Sequence, residues 1–464
     1  MRKTITVTFI ILVCCTNLKS QEQEAIWLHG YNDNITFWQH YTEHFDNTRQ
    51  LSNWRIQYRR DGFNNITNEV APFINGRSSF TGPVFVVGHS MGGLISRRFS
   101  NINTQSVRGV ITVATPNQGA PITENIINGS FSATTDNAIR ILMDGPSRDI
   151  GGLFFASGVQ GIFGQLGNAL DPLPGIEKNF WFSLGSIASS VYGLAAMLNP
   201  VFNQNASGFA TGFVLAQYMA VLRDFEEANL SSQSFQDMRP NGHEINELNN
   251  SSESNPTITI LAEENDLTPF RIASSSIERP QERPFEDVDD TQMIDLRNAV
   301  KDIYSTARVT NDALKFINLL FYNQYHDRAR AWRRGQDYIE DQFEADYNRL
   351  IGATRTENIS GSYNTMTCEE GFNEWESLEE IPPSITTGNC TFQTVTWTGT
   401  TTINEPSDGL VPLSMQMIEG LPADRVYIAR EVNHLEVANH PNITARFNDI
   451  WDRREGDPFR VAPR

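Results

Sequence analysis

Short apolar runs alternate with helix-like segments through the first quarter of the sequence. The runs are "AIWLHGY", "WRIQYR", "PVFVVGHS" and "VRGVITVATP", and helical spacing lies between them, for example over residues 66–74. Val- and Ile-rich runs separated by helices are typical of a parallel sheet that is buried on both faces. The pattern therefore predicts an α/β fold with right-handed crossovers.

Two later segments return to the same pattern. "TITILAEEND" follows residue 256, and "RVYIAREVNHLEV" lies near the end of the chain. We therefore expect a core made of residues 21–121, 257–268 and 396–464. Two insertions would interrupt this core: an apolar helical cap or lid at residues 122–256, and a second insertion at residues 269–395. The second should be mainly helical, because residues 291–351 have mixed charge and helical spacing, and should end in a loop between Cys368 and Cys390.

The first insertion contains a long uncharged segment. No charged residue occurs between Asn179 and Leu222, in a chain that is 20% charged. Three interpretations stay open. In the first, the segment forms helices packed on the core. In the second, it forms an apolar cap or lid that contacts an apolar substrate or an interface. In the third, it forms a hairpin that spans a membrane.

The N-terminus has the layout of a signal peptide over residues 1–20. Arg2 and Lys3 precede an uncharged run that is too short for a membrane span. We expect a secreted protein, with a periplasmic protein or one anchored by lipid at Cys15 as alternatives. Cys368 and Cys390 are the cysteines outside this segment, and export favours a disulfide between them over two free thiols.

Charge narrows the function classes. The net charge is −19, from 36 basic and 55 acidic residues. An acidic chain repels nucleic-acid phosphates, so we expect no nucleic acid as a partner. Simple electrostatic docking on anionic membranes is unfavourable for the same reason.

The stretch "GHSMGG" carries the first candidate chemistry. A serine hydroxyl is a weak nucleophile that must be bared and placed beside a base. A sharp turn from strand to helix exposes the serine hydroxyl. Gly88 and Gly92 supply the Gly-x-Ser-x-Gly pattern of such a turn around Ser90. We expect Ser90 to be the nucleophile and the amides of Met91 and Tyr31 to form an oxyanion hole.

A base and an acid are expected near the end of the chain. His434 ends the last apolar run and is favoured over His440 as the base. Asp408, in the turn "SDGLVP", is favoured as the acid that orients the histidine, and Asp266 is the alternative. The order serine, acid, histidine is one of three known for such triads.

Four stretches together resemble the α/β-hydrolase superfamily, and within it the bacterial lipases and related esterases. They are "WLHGY", "VVGHSMGGL", "TPNQGAP" and "SDGLVP…NHLEV". The resemblance implies a mostly parallel central sheet flanked by helices, with large helical cap or lid insertions. It also implies hydrolysis of carboxylic esters, of lipids in particular, through an acyl-enzyme, and an apolar cap that contacts a lipid interface.

The resemblance also bears on cofactors. Bacterial lipases often bind a structural calcium ion near the catalytic histidine, and Glu436 stands at the position of one ligand. The other ligands have no match, so no cofactor is expected and Ca²⁺ is the alternative.

Other activities are compatible with the same scaffold, because a fold does not determine a function. An acyltransferase, an amidase or a phospholipase would carry the same three residues. A non-catalytic surface-binding protein would be recognised by a broken triad, and all three residues are present here.

Overall fold

A computed structural model describes residues 23–154, 232–264, 322–368 and 390–464, apart from residues 32 and 60, with scattered positions between 269 and 312. The chain divides into two compact units. The larger contains the described residues up to Ala353 together with Pro406–Arg464, and the smaller is Thr354–Glu405.

The larger unit is built on a six-stranded sheet in which every described pairing is parallel. The strands of the two units, in chain order, are β1 (Gln23–Leu28), β2 (Leu51–Ile56), β3 (Val84–His89), β4 (Val107–Val113), β5 (Thr257–Glu263), β6 (Thr354–Cys368), β7 (Cys390–Asn404) and β8 (Val426–Arg430). The sheet order is β2-β1-β3-β4-β5-β8. The α/β prediction with a mostly parallel central sheet is confirmed.

The described helices belong to the larger unit. They are α1 (Gln39–Thr48), α2 (Phe63–Thr81), α3 (Met91–Ile102), α4 (Pro121–Ile127), α5 (Ser130–Phe154), α6 (Gln233–Asp237), α7 (His243–Asn250), α8 (Tyr322–Asp337), α9 (Phe343–Ile351), α10 (Leu413–Gln416) and α11 (Pro441–Trp451). A single π-helical turn, Tyr338–Gln342, joins α8 to α9.

Both faces of the sheet are buried. Successive side chains of a strand point to opposite faces, so each strand contributes to two apolar clusters. In β1, Ile26 and Leu28 belong to one apolar cluster, which α2 and α3 also line. Ala25 and Trp27 belong to a second cluster, which α1 and α11 line. The unbroken apolar runs of the sequence follow from this two-sided burial.

The strand order reverses between β1 and β3. The chain passes from β1 outward to β2, returns to β3 on the other side of β1, and then continues through β4 and β5 to β8. The chain therefore leaves the neighbouring strands β1 and β3 in opposite directions at the carboxyl edge of the sheet, where open α/β sheets bind their ligands.

The smaller unit corrects one predicted boundary. β6 and β7 form an antiparallel ladder that pairs Thr354 with Asn404 and Cys368 with Cys390. The ladder contains the predicted Cys368–Cys390 stretch of the second insertion but continues to Asn404, so the larger unit resumes at Pro406 instead of residue 396. Threonine is frequent in both strands, and β-branched residues favour extended chain over helix. The disulfide between the paired cysteines stays a prediction.

Several predictions fall outside the described residues. These are the signal peptide of residues 1–20 with Cys15, the uncharged segment Asn179–Leu222, and the alternative acid Asp266. Within the part of the chain that the structure describes, no helix is long and apolar enough to cross a bilayer.

Burial along α3 gives a matched test of the core. Ile95 is fully buried in the cluster under α3, whereas Ile102 on the same helix is 64% exposed. We expect Ile95→Ala to lower the free energy of unfolding by about 2–5 kcal/mol, because it leaves a cavity. Ile102→Ala should change it by less than about 0.5 kcal/mol. Urea denaturation of both variants measures the difference, and equal losses would contradict the packing described.

Candidate active site

The turn at Ser90 joins β3 to α3 with a strained backbone. Ser90 has φ 52° and ψ −127°, a conformation that residues with a side chain rarely adopt. Its amide donates to the carbonyl oxygen of Val113 at 3.0 Å, which fixes the turn to the neighbouring β4. The side chain is held at the carboxyl edge of the sheet, where Ser90 is 8% exposed.

Glycines on either side make this turn possible. A Cβ atom on Gly88 would overlap the main chain of Gly92, and a Cβ atom on Gly92 would overlap the carbonyl oxygens of Leu28 and His29. The first turn of α3 therefore lies directly against the end of β1. This close approach explains why the pattern requires glycine at both positions.

The amide of Met91 lies at the first position of α3. The neighbouring amides of Ser90 and Gly93 are already engaged, with the carbonyl oxygens of Val113 and Ser90 at 3.0 Å in each case. Amides in the first turn of a helix have no partner within that helix, and the helix dipole adds positive potential there. The Met91 amide can therefore stabilise negative charge beside Ser90.

The loop after β1 contacts the serine turn. A Cβ atom on Gly30 would lie 3.1 Å from the Cβ atom of Ser90, so only a glycine leaves room for this approach. The His29 ring stacks on Tyr58 with centroids 4.1 Å apart, and the Tyr58 hydroxyl donates to the His29 carbonyl oxygen. His29 thus supports the loop that carries Tyr31, the second predicted oxyanion residue.

Asp408 and His434 form a buried pair. His434 Nδ1 lies 2.7 Å from Asp408 Oδ2. The second carboxylate oxygen, Oδ1, accepts from the amides of Leu410 at 2.9 Å and Val411 at 2.7 Å. The His434 amide donates to the Asp408 carbonyl oxygen at 2.7 Å, so main chain and side chain both join the two loops. With Nδ1 donating to the carboxylate, Nε2 is the nitrogen left to act as a base.

The surroundings of His434 favour its protonated form. Burial by itself would lower the pKa of His434. The charge of Asp408 and its hydrogen bond, together with the charge of Asp33, outweigh burial and raise the pKa above the ordinary 6.5. A base with this property takes up a proton readily near neutral pH.

The structure brings Ser90 and the pair to one edge of the sheet. The ring of His89, the residue before Ser90, lies against the His434 ring with centroids 4.6 Å apart. No hydrogen bond between Ser90 and His434 occurs among the described residues. Such contacts are often loose before substrate binds.

Two side chains that the sequence did not single out hold the loop that carries Asp408, called the acid loop below. Gln416 is fully buried and joins the loop to β5, because its amide group bonds both the nitrogen and the carbonyl oxygen of Ala262 and also the carbonyl oxygen of Val411. The Tyr347 hydroxyl, from α9, donates to the Gly409 carbonyl oxygen at 2.7 Å. Neither has a local sequence signal, since both contacts are long-range.

Glu436 and His440 have structural partners. Asn433 Oδ1 accepts from the Glu436 amide at 3.1 Å and Glu436 Oε2 accepts from the Asn433 amide at 3.3 Å, as in a capping box. Glu436 thus braces the turn that carries His434. The Nδ1 atom of His440 accepts from the Asn442 amide and caps α11. The calcium alternative stays a prediction.

One group of described residues has the composition of a metal site. His243, Glu244 and Glu247 lie together at the start of α7. Both glutamates pair with Arg98, whose positive charge occupies the place that a cation would take. This group belongs to the packing of α7 against α3.

Residues 39–163 match a protein family described as the PGAP1-like alpha/beta domain. No curated protein matches the chain.

Solved structures similar to the chain have low identities. An extracellular α/β-hydrolase from a Paenibacillus species is 14% identical, with a TM-score of 0.20. That match covers 26% of the chain and 58% of the other protein, so the chain spans little more than half of that protein's length. A carboxylesterase from Nitrososphaera gargenis is 10% identical, with a TM-score of 0.24 and coverage of 56% and 78%. An epoxide hydrolase from Bacillus megaterium is 14% identical, with a TM-score of 0.22 and coverage of 53% and 77%. Identities this low indicate nothing about a substrate.

The close approach at Gly92 generates a test of the serine turn. Gly92→Ala should lower the free energy of unfolding by about 1–3 kcal/mol, because its Cβ atom meets main-chain atoms that cannot rotate away. Gly76→Ala is the matched control: Gly76 lies in α2 with open space around it, and alanine there should stabilise by about 0.5–1 kcal/mol. Thermal or urea unfolding measures both, and a stabilised Gly92 variant would contradict the geometry.

Proposed function

We propose that the chain is a hydrolase on an α/β scaffold and, more finely, a serine hydrolase of carboxylic esters; the family match over residues 39–163 supports the scaffold. The observation that carries the proposal is the buried Asp408–His434 pair, 2.7 Å between nitrogen and oxygen, at the same sheet edge as the strained Ser90. A buried carboxylate bonded to an imidazole, beside a serine in a glycine-lined turn, is the arrangement that activates a hydroxyl.

The proposed reaction proceeds in two halves. Ser90 Oγ attacks the ester carbonyl carbon while His434 Nε2 takes the hydroxyl proton. The tetrahedral intermediate then collapses, the alcohol leaves with that proton, and the acyl group stays on Ser90. Water attacks the acyl-enzyme with the same proton transfers, which releases the acid and restores the serine.

Two main-chain amides would stabilise the oxyanion in this reaction. The Met91 amide is supported by its position at the start of α3, and the Tyr31 amide by the contact of the Gly30 loop with Ser90. Asp408 would hold the imidazole in the tautomer with the proton on Nδ1 and stabilise the imidazolium that forms.

A lipid substrate is the finer part of the proposal. It is supported by the resemblance to bacterial lipases and by the uncharged segment Asn179–Leu222, which suits an apolar cap that contacts a lipid interface. The basic N-terminal pair and the uncharged run after it support export of the protein.

Hydrolysis of p-nitrophenyl esters of increasing acyl length tests the proposal. Ser90→Ala should lower kcat/KM by about 10⁴-fold or more, because the nucleophile is removed while the fold is kept. Wild-type activity that rises with acyl length would support a lipase, and activity on short chains alone would make the protein an esterase. Absence of Ser90-dependent turnover on every ester would overturn the proposal and favour amidase or transferase chemistry.

The pH dependence of kcat/KM tests the base. His434 must be neutral to take the serine proton, so activity should fall as pH drops through its raised pKa, above 6.5. Asp408→Asn removes the charge and the hydrogen bond that raise this pKa. We expect the acidic limb of that variant to move to lower pH and its maximal rate to fall by about 10⁴-fold. An acidic limb that stays in place would exclude His434 as the titrating base.

A further inference from the structure

A second imidazole lies directly beside the base. His89 is 1% exposed, and its ring is stacked on Phe37 with centroids 4.2 Å apart and planes 13° apart. Its other neighbours are the His434 ring, with centroids 4.6 Å apart, and the edge of Trp38. A fully buried histidine within reach of the base must affect the electrostatics of that base through its own charge state.

His89 is held neutral. Burial is the main cause of a pKa well below the ordinary value, and the neighbouring charges of His434 and His29 lower it further. The charge of Asp408 and the main chain of His434 act in the opposite direction but do not outweigh burial. A neutral imidazole in this place excludes water from the space beside His434 without repelling its positive form.

A carboxylate lies beside this imidazole. Asp33 Oδ2 is 3.7 Å from His89 Nδ1, which is longer than a hydrogen bond. The same oxygen is 2.8 Å from the position that a Cβ atom on Gly30 would take, and the Asp33 amide donates to the Gly30 carbonyl oxygen at 3.4 Å. Asp33 therefore belongs to the loop that contacts Ser90.

The charge of Asp33 reaches the surrounding rings. It raises the pKa of His434, after burial and the two effects of Asp408. It also raises the pKa of Tyr58, whose main perturbation is burial. Among the residues that the structure describes, the titratable groups that act on His434 are Asp408 from the loop before β8, His89 from β3 and Asp33 from the loop after β1.

We propose that Asp33, beside the buried His89 ring that contacts His434, is a positioning residue that acts on this base as a second carboxylate in addition to Asp408. This inference rests on the proposed function and assigns a second carboxylate to the same site. The buried His89 ring contacts both groups and the Asp33 side chain is 20% exposed, so water screens their interaction less than it would between groups on the open surface.

Asp33 acts on two charges of opposite sign during the reaction. Its negative charge favours the imidazolium that forms on His434 as Ser90 attacks. The same charge lies beside the Gly30 loop, where it disfavours the developing oxyanion. These effects oppose each other in the maximal rate, so the position of the acidic limb is the diagnostic quantity.

Asp33→Asn removes the charge with little change of shape. We expect the acidic limb of kcat/KM to move to lower pH by about half a unit, which corresponds to about a threefold higher relative activity on the acidic side. Asp33→Glu should restore the wild-type limb. Glu69→Gln, on an exposed part of α2, is the matched control and should leave the limb unchanged.

A second readout does not need turnover. The proton in the His434–Asp408 hydrogen bond should give a far-downfield NMR resonance in the full-length protein, and its shift against pH reports the protonation of His434. Asp33→Asn should move this titration to lower pH, and Asp33→Ser provides the same test if the asparagine variant does not fold. Suppose that the charge-removing variants lower the rate but move neither the His434 titration nor the acidic limb of kcat/KM. That result would overturn the proposal and leave Asp33 a structural role.

The two readouts separate the two proposals. Loss of Ser90-dependent activity on every substrate, with a His434 titration that still moves when Asp33 is neutralised, would reject the ester-hydrolase proposal and keep the electrostatic one. Normal ester hydrolysis, with a His434 titration that does not move when Asp33 is neutralised, would keep the ester-hydrolase proposal and reject the electrostatic one.

Discussion

The closeness of α3 to the end of β1 is the constraint on which the rest of the site depends. Gly92 lies so near the carbonyl oxygens of Leu28 and His29 that no side chain fits between them. This contact forces the strained backbone of Ser90 and brings the loop after β1 against it. Because β1 and β3 are neighbours at the point where the strand order reverses, the same contact places the proposed nucleophile Ser90 against the loop proposed to form the oxyanion hole.

The other half of the site depends on hydrogen bonds instead of tight packing. Asp408 and His434 lie on loops without regular secondary structure, and such loops need partners for their polar groups. Gln416 fastens the acid loop to β5, Tyr347 fastens it to α9, and Glu436 closes the turn beside the histidine. The geometry of the pair is therefore maintained by side chains that touch no reacting atom, which is how precise sites are supported in general.

Electrostatics connect the two halves. The carboxylate of Asp408 bonds His434 directly, and that of Asp33, beside the His89 ring, is proposed to act on His434 over a longer distance. A buried histidine beside the base would be an electrostatic cost if it were charged. Burial against the Phe37 ring lowers the pKa of His89 and so disfavours that charge.

The sequence by itself determined the features with short-range causes. Unbroken apolar runs predicted the parallel sheet, since both faces are buried, and the glycines around Ser90 predicted the turn, since only glycine permits the close approach. Ser90, Asp408 and His434 were identified as candidate residues from the sequence, and they follow one another in an order known for such triads. Only the tertiary structure decided what depends on distant contacts. Gln416, Tyr347 and Asp33 reach the site from separate elements. The threonine-rich strands after Ala353 pair with each other in an antiparallel ladder, whose last residues fall in a stretch expected to belong to the core. Periodicity reports which face of an element is buried, whereas the partner across the core is chosen by the fold as a whole.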